Sequence, residues 1–257
     1  MKATLTVLGS GTSMGVPTIG CTCAVCHSPD PHDRRTRPSI LLEFGGKFVL
    51  IDTTPDFREQ AIREHIRQID AVVYTHAHAD HILGIDDLRP LSYHRDGKIP
   101  LYARDEAAEF IRNMFRYIFD ADYKYGGLAR LELKPIAGPF DLFGARFEPI
   151  PIVHGDTEIY GYRFGSAAYL TDFSEIPESS MPLLEGLDVL FLDGLRYKPH
   201  PTHSTVENSI RIADRLQAKR VFFTHICHDL PHEETNAALP PHVRLSYDGM
   251  KLEFDIN

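Results

Sequence analysis

The stretch AVVYTHAHADH, Ala71 to His81, most constrains what this chain can fold into, because a short β-branched run stops abruptly and His76, His78, Asp80 and His81 follow within six positions. An apolar run of that length between polar neighbours reads as a buried strand, Ala71 to Tyr74, with the ionisable residues on the loop and helix start after it. Strand ends are where α/β folds gather ligands. The same context recurs three times: PIPIVHGD places His154, AAYLTDFS places Asp172 and VFFTHICHD places His225 directly after an apolar run. A plain solvated loop is the alternative for the first segment. Histidines at alternating positions plus an Asp-His pair offer ligands to two metals a short distance apart, with imidazole and carboxylate suited to Zn²⁺, Mn²⁺ or Fe.

The remaining pattern agrees with an α/β protein. Strands are expected at 3–8, 40–44, 48–51, 99–102, 146–152, 159–164, 167–171, 188–193 and 220–224. ILLEFGGKFVLID reads as a hairpin turning at Gly45 and Gly46, and RLSYDGMKLEF as a second turning at Asp248 and Gly249. Helices are expected over 55–67, 106–119 and 205–216, the last with apolar residues at Val206, Ile210, Ala213 and Leu216. Segment 120–140 is the least regular and suits a surface excursion or lid. Neither an internal repeat nor a low-complexity linker divides the chain, so one domain over residues 1–257 is expected.

Composition narrows the function. The net charge of −9 argues against a surface built to hold nucleic acid, which needs clustered Lys and Arg. No apolar run is long enough for a membrane span, and the start MKATLTVLGSGTSMGVP lacks the core of a secretory signal, so a cytoplasmic protein without a membrane partner is expected. The 14 histidines are clustered, and three of the four cysteines, Cys21, Cys23 and Cys26, share the loop GCTCAVCHS. In a reducing compartment such a loop reads as a structural zinc site before a disulfide. Tetrahedral zinc needs one more ligand. His228 is the candidate and Cys227 the alternative. Asp52, at the end of FVLID, either accepts a hydrogen bond from a ligand histidine or caps the turn before Pro55.

THAHADH, followed by a His, an Asp and a His at successive strand ends, resembles the metallo-β-lactamase superfamily over essentially the full length. The resemblance implies an αββα sandwich of two mixed sheets flanked by helices. It further implies that His76, His78 and His154 hold one metal, that Asp80, His81 and His225 hold a second, that Asp172 bridges them, and that a hydroxide between the metals is the nucleophile. Asp80 and the missing export signal separate the chain from true lactamases, and no glutathione-binding helices point to glyoxalase-type thioesterases.

GSGTSMGVP, Gly9 to Pro17, resembles the opening of ribonuclease Z-like enzymes, although a Gly-rich loop after a strand is also an ordinary tight turn. His203-Ser204-Thr205 resembles their His-Ser-Thr motif, in which the histidine protonates the leaving group or holds the phosphate; Ser204 or Thr205 would also cap the following helix. The cysteine spacing together with THICH resembles the PhnP-type cyclic-phosphate phosphodiesterases, in which such a zinc site is found. The implied activity is hydrolysis of a small cyclic or nucleotide-like phosphodiester, 5-phosphoribosyl 1,2-cyclic phosphate among them, with Asp80 and His203 in catalytic positions. Arg89, His94, Arg196, Tyr197 and His200 are candidates to meet a second phosphate. A tRNA 3′ processing endonuclease and a non-enzymatic metal-binding protein of the same fold are the rivals. Oligomeric state is not readable from the sequence, and a homodimer stays open.

Overall fold

The computed structural model describes residues 1–120, 122–123 and 126–257. Along the chain run β1 (Lys2–Gly9), β2 (Ser39–Phe44), β3 (Lys47–Ile51), α1 (Phe57–Arg63), β4 (Ala71–Val73), α2 (Ala79–Ile82), α3 (Arg89–Tyr93) and β5 (Ile99–Arg104). Then follow α4 (Asp105–Met114), α5 (Arg116–Phe119), β6 (Leu131–Ile136), β7 (Phe140–Leu142), β8 (Ala145–His154), β9 (Thr157–Phe164) and β10 (Ala167–Leu170). The chain ends with β11 (Val189–Asp193), α6 (Val206–Leu216), β12 (Arg220–Thr224), α7 (His232–Ala238), β13 (Val243–Leu245) and β14 (Lys251–Asp255). One seven-stranded sheet has the order β14-β1-β2-β3-β4-β5-β6, the other β13-β12-β11-β10-β9-β8-β7. Both are mixed: β3 to β6 and β10 to β13 run parallel, and the remaining pairs are antiparallel.

Side-chain alternation builds the layers, since successive strand residues point to opposite faces. Leu42, Val49, Ile51 and Val73 of the first sheet meet Phe147, Tyr162, Tyr169 and Phe191 of the second in one central core. Their chain neighbours Leu41, Leu50 and Val72 face outward onto α1 and α4 through Phe57 and Ile111. Leu190 and Leu192 likewise face outward onto Val206 and Ala213 of α6. Two sheets buried on both faces, with helices outside, form the expected αββα sandwich. No helix among the described residues is long and apolar enough to cross a membrane.

The hairpin at Gly45 and Gly46 is present, both glycines with the positive φ its turn requires. The second expected hairpin is not. Strand β13 pairs with β12 in one sheet, whereas β14 pairs with β1 in the other, so the chain crosses between sheets at Asp248. The Asp248 carboxylate instead accepts hydrogen bonds from Ser10 N (2.9 Å), Ser10 Oγ (2.8 Å), Thr36 N (2.9 Å) and Thr36 Oγ1 (2.6 Å). Segment 120–140 is also more regular than expected: β6 lies within it and β7 starts at its last residue, these being edge strands of the two sheets, while residues 121, 124 and 125 of the expected lid lie outside the described residues.

Candidate active site

The strand ends converge. His76 follows β4, Asp52 follows β3, His154 ends β8, Asp172 follows β10, Asp193 ends β11 and His225 follows β12. Asp52, Asp172 and His225 each have a positive φ (65°, 58° and 58°), a left-handed conformation that non-glycine residues rarely adopt. Three such residues at the ends of three strands mark a site where the packed sheets over-determine the backbone.

Two groups of donors result. Ligand atoms of His76, His78 and His154 lie within 4.8 Å of one another, as do those of Asp80, His81, Asp172 and His225. Asp172 faces both groups, with Oδ1 3.4 Å from His81 Nε2, and Oδ2 3.2 Å from His225 Nε2 and 4.0 Å from His76 Nε2. Asp80 Oδ2 stands 3.3 Å from His81 Nε2 and 3.5 Å from His225 Nε2. Nε2 of His76 and of His81 are buried without a hydrogen-bond partner, as atoms aimed at a cation are.

Charge supports the same fit. Burial raises the Asp172 and Asp80 carboxyls, but the charges of His225 and His81 around Asp172, and of His81 beside Asp80, outweigh it and hold both well below the usual range. Burial also opposes charge on His81 and His225; the carboxylates of Asp80, Asp172 and Asp52 carry His81 well above its ordinary value, and Asp172 with Asp80 lifts His225 to about 9. His76 goes the other way, pushed down by burial and by His81. The two buried carboxylates need positive charge beside them, which protons on His81 and His225 supply as long as no cation is bound; once those imidazoles are neutral, the donor set suits divalent cations.

Fixed partners hold the imidazoles. Asp52 is fully buried, accepts from Thr75 N and Thr75 Oγ1 (both 2.8 Å), and takes His81 Nδ1 at 2.8 Å, which turns Nε2 of that ring toward the carboxylates. His154 Nδ1 donates to Thr202 O at 2.8 Å. His203 lies with its ring 4.9 Å from His154 and 4.6 Å from His225, and its Nδ1 sits 2.7 Å from Asp193 Oδ2. Asp193 was not among the residues anticipated, although LFLDGL has the same apolar-run-then-Asp signature as Asp172. Thr205 caps α6 by accepting from Asn208 N at 3.2 Å, so the loop holding His203 is pinned at the helix start.

Cys21, Cys23 and Cys26 surround His228 Nδ1 at 3.2, 3.7 and 3.3 Å. Each sulfur also accepts a backbone N–H: Thr18 N to Cys26, Cys23 N to Cys21 and Cys26 N to Cys23. Three thiols and one imidazole at such separations fit tetrahedral zinc. Cys227 turns away, its sulfur accepting from Asp229 N.

Gly9 and Gly11 do not open a phosphate cradle. A side chain at Gly9 would lie 1.9 Å from Arg37 O, and the loop instead pairs with the His225 segment through Ile226 N to Ser10 O (2.9 Å) and Thr12 N to Ile226 O (3.1 Å). Of the five residues anticipated to meet a second phosphate, only His200 reaches the cluster, its ring 4.9 Å from His203. Arg89 binds Gly127 O and Asp86, His94 lines a separate cleft with Arg67 and Asp96, and Arg196 folds onto the carbonyls of Lys198 and Pro199 beside exposed Tyr197.

A family model described as a beta-lactamase superfamily domain matches residues 47–226. A crystal structure of a diphosphatase from the PhnP family is 62% identical with a TM-score of 0.95, covering 100% of this chain and 98% of that one. The Zn²⁺-bound PqqB of Methylobacterium extorquens superposes with a TM-score of 0.81 at 20% identity, covering 97% and 99% of the two chains. A Porphyromonas gingivalis protein named octanoyltransferase is 41% identical over 254 residues, 97% of this chain and 51% of that protein, so the chain spans about half the length of this relative.

Proposed function

Because the chain belongs to the metallo-β-lactamase superfamily and, within it, to the PhnP family, a family of hydrolases, we propose that it hydrolyses a small phosphodiester or substituted diphosphate with two divalent metals at the His/Asp cluster. One observation carries the reading. His203, held by Asp193, offers a nitrogen within 4.8 Å of the donor atoms of Asp172 and His154, close enough to touch a phosphoryl group seated on that cluster. The diphosphatase at 62% identity supports chemistry at phosphorus, and the Zn²⁺-bound PqqB supports a divalent metal. The chain spans only about half of the protein named octanoyltransferase, so that name is not carried over to it.

His76, His78 and His154 would hold one metal, and Asp80, His81 and His225 the other, with Asp172 shared. Such a pair supplies Lewis acidity at the phosphoryl oxygens and lowers the pKa of water. The protein does the rest. Asp52 fixes the His81 tautomer, and Thr202 O fixes that of His154. As the oxygen of a water that has lost one proton to solvent bonds to phosphorus and the ester bond breaks, His203 Nε2 hands a proton to the departing oxygen, Asp193 having held the imidazolium through Nδ1. Cys21, Cys23, Cys26 and His228 would hold structural zinc.

The test is metal analysis of the Zn²⁺- or Mn²⁺-loaded protein, then assay on bis(p-nitrophenyl) phosphate, ribosyl 1,2-cyclic phosphate, 2′,3′-cyclic nucleotides, a dinucleoside diphosphate and a precursor tRNA. Turnover of small substrates that disappears in His78→Ala is expected. Activity surviving in His78→Ala overturns the reading, and cleavage of the tRNA alone replaces it with a ribonuclease Z-like one.

A further inference from the structure

A cavity of about 480 Å³ opens beside His76, His78 and His154, and His203 does not line it. Its inner wall is carbon: Ile159 and Ala107 are buried there, and the Phe110 ring on α4 is 48% exposed. Its polar rim is acidic, with Glu106, Asp156 and Glu158 against a single cation among the described residues, Arg104. That guanidinium is already spoken for, at 2.9 Å from Glu106 and 3.0 Å from Glu158, and it lies 5.5 Å over the Tyr160 ring. Beyond the histidine cluster itself, a second phosphate entering here would meet three carboxylates and, among the described residues, no cationic side chain free of a carboxylate partner.

Resting on the phosphodiesterase reading, we propose that this cavity receives the group retained on the substrate phosphorus and that this group is an uncharged ring, an aryl or nucleobase-bearing moiety, rather than a second phosphate. Position assigns the retained group. The departing oxygen must lie next to His203, which does not line the cavity, so the ester that stays on phosphorus is the one that can extend past His78 into it. The volume lies in the range of ordinary small-molecule sites, and an exposed Phe with a buried Ile and Ala is a surface on which a flat ring gains contact. The cavity therefore favours a retained group that carries a neutral ring over one that carries a second phosphate.

The experiment uses metal-loaded full-length protein and three p-nitrophenyl phosphodiesters with one leaving group and different retained groups: phenyl, methyl and carboxymethyl. The expected order of kcat/KM is phenyl above methyl by about tenfold, with carboxymethyl lowest. Phe110→Ala should bring the phenyl-to-methyl ratio toward one, and Glu106→Gln with Glu158→Gln should raise the carboxymethyl ester relative to methyl. A carboxymethyl ester preferred by the wild type, or a phenyl ester no better than methyl, overturns the proposal. If no diester is turned over, the phosphodiesterase reading fails, and calorimetry with phenyl phosphate, methyl phosphate and phosphoglycolate still decides the cavity: phenyl tightest upholds it, and equal or reversed affinities overturn it.

Discussion

Asp52 and Asp193 do the same work at two places, each taking the Nδ1 of a histidine so that the other nitrogen faces the cluster. Their substitutions should nevertheless read out differently. Asp52→Asn alters a group behind His81 and should weaken metal affinity about 10- to 100-fold, measured as metal retained after dialysis. Asp193→Asn leaves the metal donors in place and should lower kcat about 100-fold or more with metal content unchanged, because an amide cannot balance the imidazolium of His203. Equal metal loss in both variants would refute the distinction. His76, His78, Asp80 and His81 were legible in the sequence because they crowd one short stretch. Asp193 was not, since a lone Asp after an apolar run becomes a partner of His203 only when β11 and the start of α6 are brought together, and nothing local announces that.

At the scale of elements, the start of α6 carries a testable share of the geometry. Thr205→Ala removes the acceptor for Asn208 N and should lower stability by about 1 kcal/mol, a melting shift of about 2–4 °C, which Thr205→Ser should largely restore. An unchanged melting curve would mean that the cap contributes nothing to holding the His203 loop. That helix and most strands were legible because period and turn residues are local properties. The edge strands β6 and β7 and the parting of β13 from β14 were not. Asp248-Gly249 has the chemistry of a hairpin turn, yet the two short flanking strands find better partners in opposite sheets, with Asp248 bound to Ser10 and Thr36. Local turn preference lost to tertiary pairing.

Across the whole molecule, one segment ties both cation sites to the sandwich. Residues 225–230 carry His225 of the cluster and His228 of the cysteine site, only three positions apart. The segment is held from three sides. Ser10 and Thr12 pair with Ile226, Leu195 O accepts from Cys227 N, and the buried Arg35 guanidinium donates to Cys227 O (2.9 Å), Leu230 O (2.7 Å) and Asp33 (2.9 Å). Arg35→Met would strand a buried carboxylate and two carbonyls and should cost about 3–5 kcal/mol, read by urea unfolding. The fourth restraint is the one that a cation completes. With zinc on Cys21, Cys23, Cys26 and His228, the strained His225 backbone is held from a fourth side; with one thiolate missing, only Ser10, Thr12, Leu195 and Arg35 hold the segment. Cys23→Ser should therefore lower the melting temperature and also reduce the metal bound at the His/Asp cluster, although Cys23 belongs to neither donor group there. Full metal occupancy with an unchanged melting curve would show that the two sites are independent.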